Sequence, residues 1–306
     1  MSIALIIPDR DLTDLQQRLQ QALPQTKVEI WPNVTEVEQV SFALVWKPPV
    51  GSLSSLPNLN AIQCFGAGVD AIFLDKAVPS VPIARIIDDR LNQTMVNYLD
   101  AIVSHYRLRF DRFSQQQQQQ VWKPKSPRKL ANICILGLGE LGTAAAKHFV
   151  SLGYKVSGWS RRAKNLSQIS CYHGDAELAM AVAEADVVIC LLPLTAQTEN
   201  LLDAQAFAKF KNDSIFINVA RGAIVDDQAL IAALNSGKLQ AACLDVFRQE
   251  PLPTDHPFWQ HPAIFITPHI SAVTNIESAI EQTVINYQRQ QQGLAMLNLI
   301  DRTQGY

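Results

Sequence analysis

The apolar residues in the first third of the chain form short runs that alternate with a clear helical pattern. Each run has the length of a buried strand and is bounded by polar or turn-forming residues. Leucines between the first two runs recur every three or four residues, which places them on one face of a helix. This alternation predicts a small α/β domain. Its strands are predicted at Ile3–Ile7, Val28–Trp31, Phe42–Trp46 and Ala61–Phe65, and its helix carries Leu12, Leu15, Leu19 and Leu23.

A longer helical pattern links this region to the next one. It begins near Leu91, keeps Met95, Tyr98 and Ile102 in register, and runs toward six glutamines at 115–120. Glutamine is a good helix former, so we interpret the glutamine run as a solvated helical end. The segment 123–129 contains two prolines and is predicted to be a connector.

The second half of the chain repeats a strand-then-helix unit. Its apolar runs are separated by intervals that can each hold a helix, which is typical of a doubly wound parallel sheet. Local signals agree, because Asp226 and Asp227 can cap a helix that Gly237 can end. The predicted strands are Ile133–Leu136, Val156–Trp159, Val187–Leu191, Ile215–Asn218, Ala242–Asp245 and Ile264–Thr267, and a last helical stretch follows at 276–292.

Three glycines with the spacing G-x-G-x-x-G follow the first strand of this region. Gly137 allows a tight turn, Gly139 lets the backbone approach a pyrophosphate, and Gly142 lets the next helix pack closely on the strand. Glu140 and Leu141 would open that helix, whose unpaired N–H groups suit phosphate oxygens. The sequence therefore predicts a dinucleotide site.

The residues after the next strand indicate which dinucleotide binds. An acidic residue in this place usually accepts hydrogen bonds from the ribose of NAD, but here Ser160, Arg161 and Arg162 follow Trp159. No carboxylate repels a 2′-phosphate, and two guanidinium groups can bind one. We therefore predict NADPH as the cofactor, with NADH possible but weaker. The alternative is that both arginines belong to a solvated loop.

Three later strand ends carry Arg221, Glu250 and His269. Hydride transfer to a 2-oxo acid needs a cation for the carboxylate and carbonyl oxygen, and a proton donor for the developing alkoxide. Arg221 and His269 can fill these roles, and a carboxylate such as Glu250 favours the charged imidazolium. Taken singly, Arg221 would be explained by an ion pair beside a helix, Glu250 by a solvated loop charge and His269 by a hydrogen-bonded core histidine. Their shared position beyond strands favours a catalytic set.

Composition restricts the partners. The chain has 306 residues, of which 48% are hydrophobic and 18% charged, with a formal net charge of −2. Such values are typical of a globular protein with room for two domains, and they argue against nucleic acid or an anionic membrane as partner. A small-molecule substrate is the expected partner. Five cysteines without CxxC spacing, and opening residues without a signal-peptide pattern, predict reduced thiols in a cytoplasmic protein.

His256 and His261 lie five residues apart and close to His269 in the sequence, as metal ligands sometimes do. No cysteine or carboxylate arrangement completes a set of ligands, and hydride transfer needs no metal here. We interpret both as loop histidines and predict no metal site.

Several motifs resemble those of the D-isomer-specific 2-hydroxyacid dehydrogenase family. They are RGAIVD at 221–226, LDVF-x-x-EPLP at 244–253, HPFW at 256–259 and TPHI at 267–270. FGAGVD at 65–70, WSRR at 159–162 and the terminal IDRTQGY resemble the glyoxylate/hydroxypyruvate reductase A subgroup of that family. The resemblance covers nearly the whole chain. It implies a dinucleotide-binding Rossmann domain at 99–285, a smaller flavodoxin-like α/β substrate domain made of 1–98 and 286–306, and a homodimer.

The resemblance also implies roles for individual residues. Arg221, Glu250 and His269 become the catalytic trio. The main-chain N–H groups of Ala67 and Gly68 would hold the substrate carboxylate, as a glycine-rich turn can do without side-chain bulk. Trp46 would wall the substrate pocket, although a tryptophan at a strand end is more often core. The implied cofactor contacts are Gly137, Gly139, Glu140, Leu141, Gly142, Ser160, Arg161, Arg162, Leu192, Pro193, Val219, Ala220 and, near the nicotinamide carboxamide, Asp245.

The activity implied by the resemblance is the NADPH-preferring reduction of glyoxylate to glycolate and of hydroxypyruvate to D-glycerate. One alternative is another 2-oxo acid reduced by the same trio. Another is a non-enzymatic protein that senses a dinucleotide, as corepressor relatives of the family do. A Rossmann-type methyltransferase is disfavoured, because Arg161 and Arg162 suit a phosphate better than the uncharged ribose of S-adenosylmethionine.

Overall fold

The computed structural model describes residues 1–8 and 10–305, and the chain divides into two compact units. The first contains Met1–Asp89 and Thr274–Tyr306, and the second contains Arg90–Val273. The divisions therefore fall at 89/90 and 273/274, whereas the sequence predicted 98/99 and 285/286. A helical pattern covers or adjoins both places, and periodicity marks a helix without telling on which sheet the helix packs.

The strands and helices of the described residues follow the predicted alternation. The strands are β1 (Ser2–Ile6), β2 (Lys27–Ile30), β3 (Val40–Val45), β4 (Ala61–Cys64), β5 (Ile83–Ala84), β6 (Asn132–Leu136), β7 (Lys155–Ser160), β8 (Ile169–His173), β9 (Val187–Cys190), β10 (Ser214–Asn218), β11 (Leu239–Leu244) and β12 (Ile264–Ile266). The helices are α1 (Thr13–Ala22), α2 (Asp89–Arg107), α3 (Phe110–Gln118), α4 (Glu140–Ser151), α5 (Gly174–Val182), α6 (Ala204–Lys209), α7 (Asp227–Asn235) and α8 (Ile276–Gln291).

The first unit contains a five-stranded parallel sheet in the order β2-β1-β3-β4-β5. This is the flavodoxin-like order that the resemblance implied. The leucines of α1 pack on one face of the sheet together with Ala279 and Tyr287 of α8. These contacts explain why α8 belongs to the first unit, although the prediction assigned its larger part to the other.

The second unit contains a seven-stranded parallel sheet in the order β12-β11-β10-β9-β6-β7-β8. Strands β7 and β8 extend from one side of β6, and β9 to β12 extend from the other. The chain order therefore reverses between β6 and β9. In doubly wound sheets, ligands bind at the carboxyl ends of the strands where this reversal occurs. The predicted fold class is confirmed.

Alternate residues of β6 show that this sheet is buried on both faces. Cys134 and Leu136 belong to one apolar cluster, and Ile133 and Ile135 belong to another that includes Phe149 of α4. A parallel sheet covered on both faces has strands that are apolar throughout, which is the pattern seen in the sequence.

Three details differ from the sequence predictions. The long helical pattern is two helices, because Arg109 adopts φ 63° between α2 and α3. Strand β8 was missed because it is a partly exposed edge strand without a continuous apolar run. Strand β5 was missed because it is only two residues long.

Within residues 1–8 and 10–305, no helix has the length and hydropathy needed to cross a membrane.

Candidate active site

The first and third glycines of the G-x-G-x-x-G motif are required by the fold itself. Gly137 has φ +106°, and a Cβ on it would lie 2.6 Å from the carbonyl oxygen of Leu191. A Cβ on Gly142 would lie 1.8 Å from the carbonyl oxygen of Gly137. The turn after β6 therefore has no space for a side chain at either position.

The second glycine of the motif has a different environment. Gly139 has φ −78°, and a Cβ on it would have no atom within 4 Å. Neither the backbone nor the packing of this chain requires glycine there. Gly139 is the N-cap of α4, and no side chain caps the first N–H groups of that helix. The open space and the uncapped N–H groups fit a pyrophosphate, with Glu140 exposed and Leu141 half-buried beside it.

The turn after β7 presents two cations to the solvent. Ser160 is buried and its Oγ donates a hydrogen bond to the carbonyl oxygen of Arg162 at 2.8 Å. Arg161 and Arg162 are exposed. Nη1 of Arg161 donates to Oε1 of Gln197 at 2.6 Å. These positions fit a 2′-phosphate next to the ribose end of a dinucleotide.

The loops after β9 and β10 supply apolar surface at the same edge of the sheet. Leu192, Val219 and Ala220 are buried, and Pro193 is half-buried. The carbonyl oxygen of Pro193 accepts a hydrogen bond from Oγ1 of Thr198 at 2.6 Å, which fixes the loop after β9. The predicted cofactor contacts of this surface stay predictions.

Arg221 follows β10 and is half-buried. Its Nη1 donates to the carbonyl oxygen of Ala220 at 2.7 Å. The next residue, Gly222, packs so closely on the loop after β11 that a Cβ on it would lie 2.0 Å from the carbonyl carbon of Phe247. The turn of Arg221 therefore lies directly against the loop that carries Glu250.

Glu250 and His269, which are nineteen residues apart in the sequence, are in contact. Oε2 of Glu250 lies 2.8 Å from Nδ1 of His269, and Oε1 of Glu250 accepts the N–H of Phe247 at 3.0 Å. The side chains of His269 and Glu250 are 29% and 19% exposed, so the pair is held by the protein and still open to a small molecule. Because Nδ1 faces the carboxylate, Nε2 is the ring nitrogen left to meet a substrate.

Asp245 organises the turn that carries His269. Asp245 is fully buried, and its Oδ1 accepts hydrogen bonds from Oγ1 of Thr267 at 2.6 Å and from the N–H of Ile270 at 2.8 Å. Its Oδ2 accepts the N–H of Ser271 at 2.9 Å. His269 itself has φ 55°, a conformation that residues other than glycine rarely adopt. The predicted contact of Asp245 with the nicotinamide carboxamide stays a prediction.

Sequence reasoning missed two residues of this arrangement. Thr267 was part of a recognised motif but had no role, and Tyr98 was read only as one position of a helical face. In the structure, the hydroxyl of Tyr98 lies 2.7 Å from Oγ1 of Thr267. The sequence does contain one signal that could have found Tyr98, namely a hydroxyl group on the apolar face of α2. A buried tyrosine hydroxyl usually has a hydrogen-bond partner, so a polar partner was to be expected there.

The predicted substrate-binding residues Trp46, Ala67 and Gly68 belong to the first unit. Trp46 follows β3, and its ring packs so closely on Gly66 that a Cβ there would lie 2.4 Å from the ring. Ala67 and Gly68 are half-buried in the turn after β4, and Sγ of Cys64 donates to the carbonyl oxygen of Gly68 at 3.1 Å. The backbone of the turn after β4 therefore packs directly against the indole ring of Trp46.

The two histidines considered as metal ligands have other neighbours. Nε2 of His256 lies 3.6 Å from Oδ2 of Asp227, and Nε2 of His261 lies 3.3 Å from Oδ1 of Asn235. In the part of the chain that the structure describes, no three His, Cys, Asp or Glu side chains form a group that could hold a metal ion.

A family model matches a large part of the chain. The model for "D-isomer specific 2-hydroxyacid dehydrogenase, NAD binding domain" matches residues 100–271. The glyoxylate/hydroxypyruvate reductase A of Yersinia enterocolitica is 38% identical over 297 residues, which cover 94% of each chain. Similarity to the family therefore extends well beyond the matched domain.

Solved structures give a similar result. A D-isomer specific 2-hydroxyacid dehydrogenase from Xanthobacter autotrophicus Py2, in complex with NADPH and MES, has a TM-score of 0.94 and 36% identity over 100% of this chain and 99% of that one. An NADPH-dependent glyoxylate/hydroxypyruvate reductase from Sinorhizobium meliloti, in complex with NADP and sulfate, has a TM-score of 0.92 and 27% identity over 100% of both chains.

Proposed function

The chain belongs to the D-isomer specific 2-hydroxyacid dehydrogenase family, and from this premise we propose that it is an NADPH-preferring reductase of small 2-oxo acids. The proposed reactions convert glyoxylate to glycolate and hydroxypyruvate to D-glycerate. One observation supports this function most directly: Oε2 of Glu250 lies 2.8 Å from Nδ1 of His269, beside the turn of Arg221. The names of the similar reductases support the choice of substrates.

His269 is the proposed proton donor. Reduction of a carbonyl group leaves an alkoxide oxygen that must receive a proton. Glu250 holds the ring through Nδ1, so the proton is delivered from Nε2 and the imidazole becomes neutral. The carboxylate of Glu250 meets Nδ1 and thereby fixes the orientation of the ring.

Arg221 is the proposed cation for the substrate. A guanidinium group binds a carboxylate in a bidentate manner and stabilises negative charge that develops on a neighbouring oxygen. The main-chain N–H groups of Ala67 and Gly68 are proposed as further donors to the substrate carboxylate. Trp46 is the proposed wall of the pocket, since its ring already packs on the backbone of this turn. A rigid indole wall favours small substrates.

The cofactor is proposed to bind along the carboxyl edge of the second sheet. The uncapped start of α4 at Gly139 would hold the pyrophosphate, and Ser160, Arg161 and Arg162 would hold the 2′-phosphate. Bound NADPH supplies the hydride, and NADH would bind more weakly because it lacks that phosphate. Two similar solved structures that contain NADPH or NADP support this choice. The remaining contacts proposed are Gly137, Glu140, Leu141, Gly142, Leu192, Pro193, Val219, Ala220 and Asp245.

We also propose a homodimer in the cytoplasm. Helix α3 has no buried residue, and the side chains of Val121 and Trp122 that follow it are 45% and 97% exposed. Large apolar groups that project from one segment are typical of a surface covered by a partner. None of the five cysteines forms a disulfide, which suits a reducing compartment.

The test is a panel of oxidation assays with the purified protein. NADPH and NADH are each offered with glyoxylate, hydroxypyruvate, pyruvate and a bulky phenyl-substituted 2-oxo acid, and the absorbance of the reduced nicotinamide is followed. We expect turnover with NADPH and the two smallest precursors, and slower turnover with NADH.

Two results would contradict the proposal in different ways. If only the bulky acid is turned over, the proposed hydride and proton transfers stand, but the proposed substrates are wrong. Tight binding of NADPH without any turnover would remove the catalytic assignment and favour a protein that senses the dinucleotide.

A further inference from the structure

Tyr98 of α2 reaches the turn that carries His269. Its hydroxyl lies 2.7 Å from Oγ1 of Thr267 and 3.4 Å from Sγ of Cys243. Both partners belong to the second unit, as Tyr98 does. Thr267 in turn lies 2.6 Å from Oδ1 of Asp245. A chain of short polar contacts therefore runs from α2 to the buried carboxylate at the centre of the turn.

The direction of the donors in this chain is fixed by chemistry. Each hydroxyl has one hydrogen, and an ionised carboxylate only accepts. Thr267 therefore donates to Asp245, and its oxygen must accept the hydrogen of Tyr98. Burial and the neighbouring Cys243 raise the pKa of the Tyr98 hydroxyl well above its usual range, so that it remains a donor. Hydrogen bonds aligned in this way strengthen one another in a low-dielectric interior.

Asp245 transmits this arrangement to His269. Its carboxylate accepts the N–H groups of Ile270 and Ser271, and its carbonyl oxygen accepts the N–H of His269 at 2.9 Å. These bonds wrap the turn around one buried side chain and maintain the left-handed conformation of His269, which is unfavourable without such support. Any shift of the Asp245 carboxylate would move the imidazole relative to Glu250.

We propose that Tyr98 is a positioning residue, which acts through Thr267 and Asp245 to hold the turn that aims His269 at Glu250 and at the substrate. This inference rests on the proposed function, because it requires His269 to be the proton donor. It assigns to α2, which belongs to the second unit from Arg90 onward, an indirect effect on the rate of the chemical step. Tyr98 itself is not proposed to touch the substrate.

The test compares two tyrosines of the same helix. Tyr98→Phe removes one oxygen and keeps the ring in its apolar surroundings. Tyr106→Phe is the matched control, because its buried hydroxyl donates to the carbonyl oxygen of Ala242 at 3.1 Å and has no part in the chain to Asp245. We expect Tyr98→Phe to lower kcat about threefold to tenfold, as the loss of one hydrogen bond implies. Binding of NADPH should not change, and Tyr106→Phe should keep the wild-type kcat.

A double-mutant cycle separates positioning from stability. Thr267→Val interrupts the chain, so it should lower kcat about tenfold or more, since it leaves the carboxylate with one donor fewer. In that background, Tyr98→Phe should change kcat less than about twofold, because effects along one chain of contacts are not additive. Thr267→Ser keeps the hydroxyl and should restore the sensitivity to Tyr98→Phe.

Three results would overturn the inference. Independent, multiplying effects of the two substitutions would show that Tyr98 does not act through Thr267. If Tyr98→Phe keeps the wild-type kcat, as Tyr106→Phe is expected to do, and His269→Ala is inactive in the same assay, Tyr98 has no positioning role and the proposed function stands. An active His269→Ala would remove both the proton donor and the residue proposed to position it.

Discussion

Two regions at the carboxyl edge of the second sheet are built in opposite ways. The proposed catalytic cluster consists of Arg221, Glu250 and His269 together with the supporting Asp245, and hydrogen bonds within the chain hold each of them. The proposed cofactor turn consists of residues 137–142 and 160–162. There, the first N–H groups of α4 have no side-chain cap, Gly139 borders open space and the two arginines are exposed.

This difference fits the roles proposed for the two regions. Groups that take part in chemistry must be aimed before the substrate arrives, because a small displacement of a reacting group lowers the rate strongly. The first N–H groups of a helix that binds a phosphate must instead stay uncapped by side chains, because the ligand completes their hydrogen bonds. Substitutions in the cluster should therefore change kcat, and substitutions in the cofactor turn should change binding.

The largest effect is expected in the cluster. His269→Ala removes the proposed proton donor and should lower kcat by a factor of about 10² to 10⁴, the usual contribution of general acid catalysis. The dissociation constant of NADPH, measured by fluorescence titration, should stay close to that of the wild type. His261→Ala is the control, since that histidine faces Asn235. A near-normal kcat for His269→Ala would remove it from the mechanism.

A smaller effect is expected at the cationic end of the cofactor turn. Replacing Arg161 and Arg162 together by glutamine should raise KM for NADPH about tenfold to a hundredfold, because charge-assisted hydrogen bonds to the 2′-phosphate are lost. KM for NADH should hardly change, since NADH lacks this phosphate. Replacing Lys155 and Lys209 together by glutamine, two exposed cations elsewhere in the same unit, controls for the change in net charge. Equal effects on both cofactors would point to a structural role for the arginines.

The smallest effect is expected at Gly139. Gly139→Ala places a methyl group in the space proposed for the pyrophosphate, so NADPH should bind about threefold to tenfold more weakly, a change of about 1 kcal/mol. The backbone there suits alanine, and the melting temperature should stay the same or rise slightly. Gly142→Ala is the counterpart and should prevent folding, because its Cβ would collide with the carbonyl oxygen of Gly137. Unchanged NADPH binding by Gly139→Ala would show that the open space is not the pyrophosphate site.

Most of the fold was predictable from the sequence because apolar periodicity reports burial directly. The strands of both sheets were found except the two-residue β5 and the partly exposed edge strand β8, which have no long apolar run. Asp226 caps α7 as predicted, since its side chain accepts the N–H of Ala229. The comparisons confirm the predicted family and its dinucleotide-binding domain. The break at Arg109 was not predicted, because the helical pattern does not change there.

The candidate site was predictable in part. Glu250 and His269 could be named because each follows a strand in a recognisable order, and the structure brings them into contact. The roles of Tyr98 and Thr267 could not be named, since a helix residue and a loop residue that are 169 positions apart meet only after the sheet has formed.

Most of the elements, the order of the two α/β regions and the identity of the chemical groups follow from the sequence alone. These properties depend on local patterning and residue type, which are present along the chain before it folds. The tertiary structure decided which unit each long helix joins, which glycine leaves open space, and how the buried carboxylate of Asp245 holds the turn of His269. Those properties depend on distances between residues far apart in the chain, and only the packing of helices on the sheets fixes such distances.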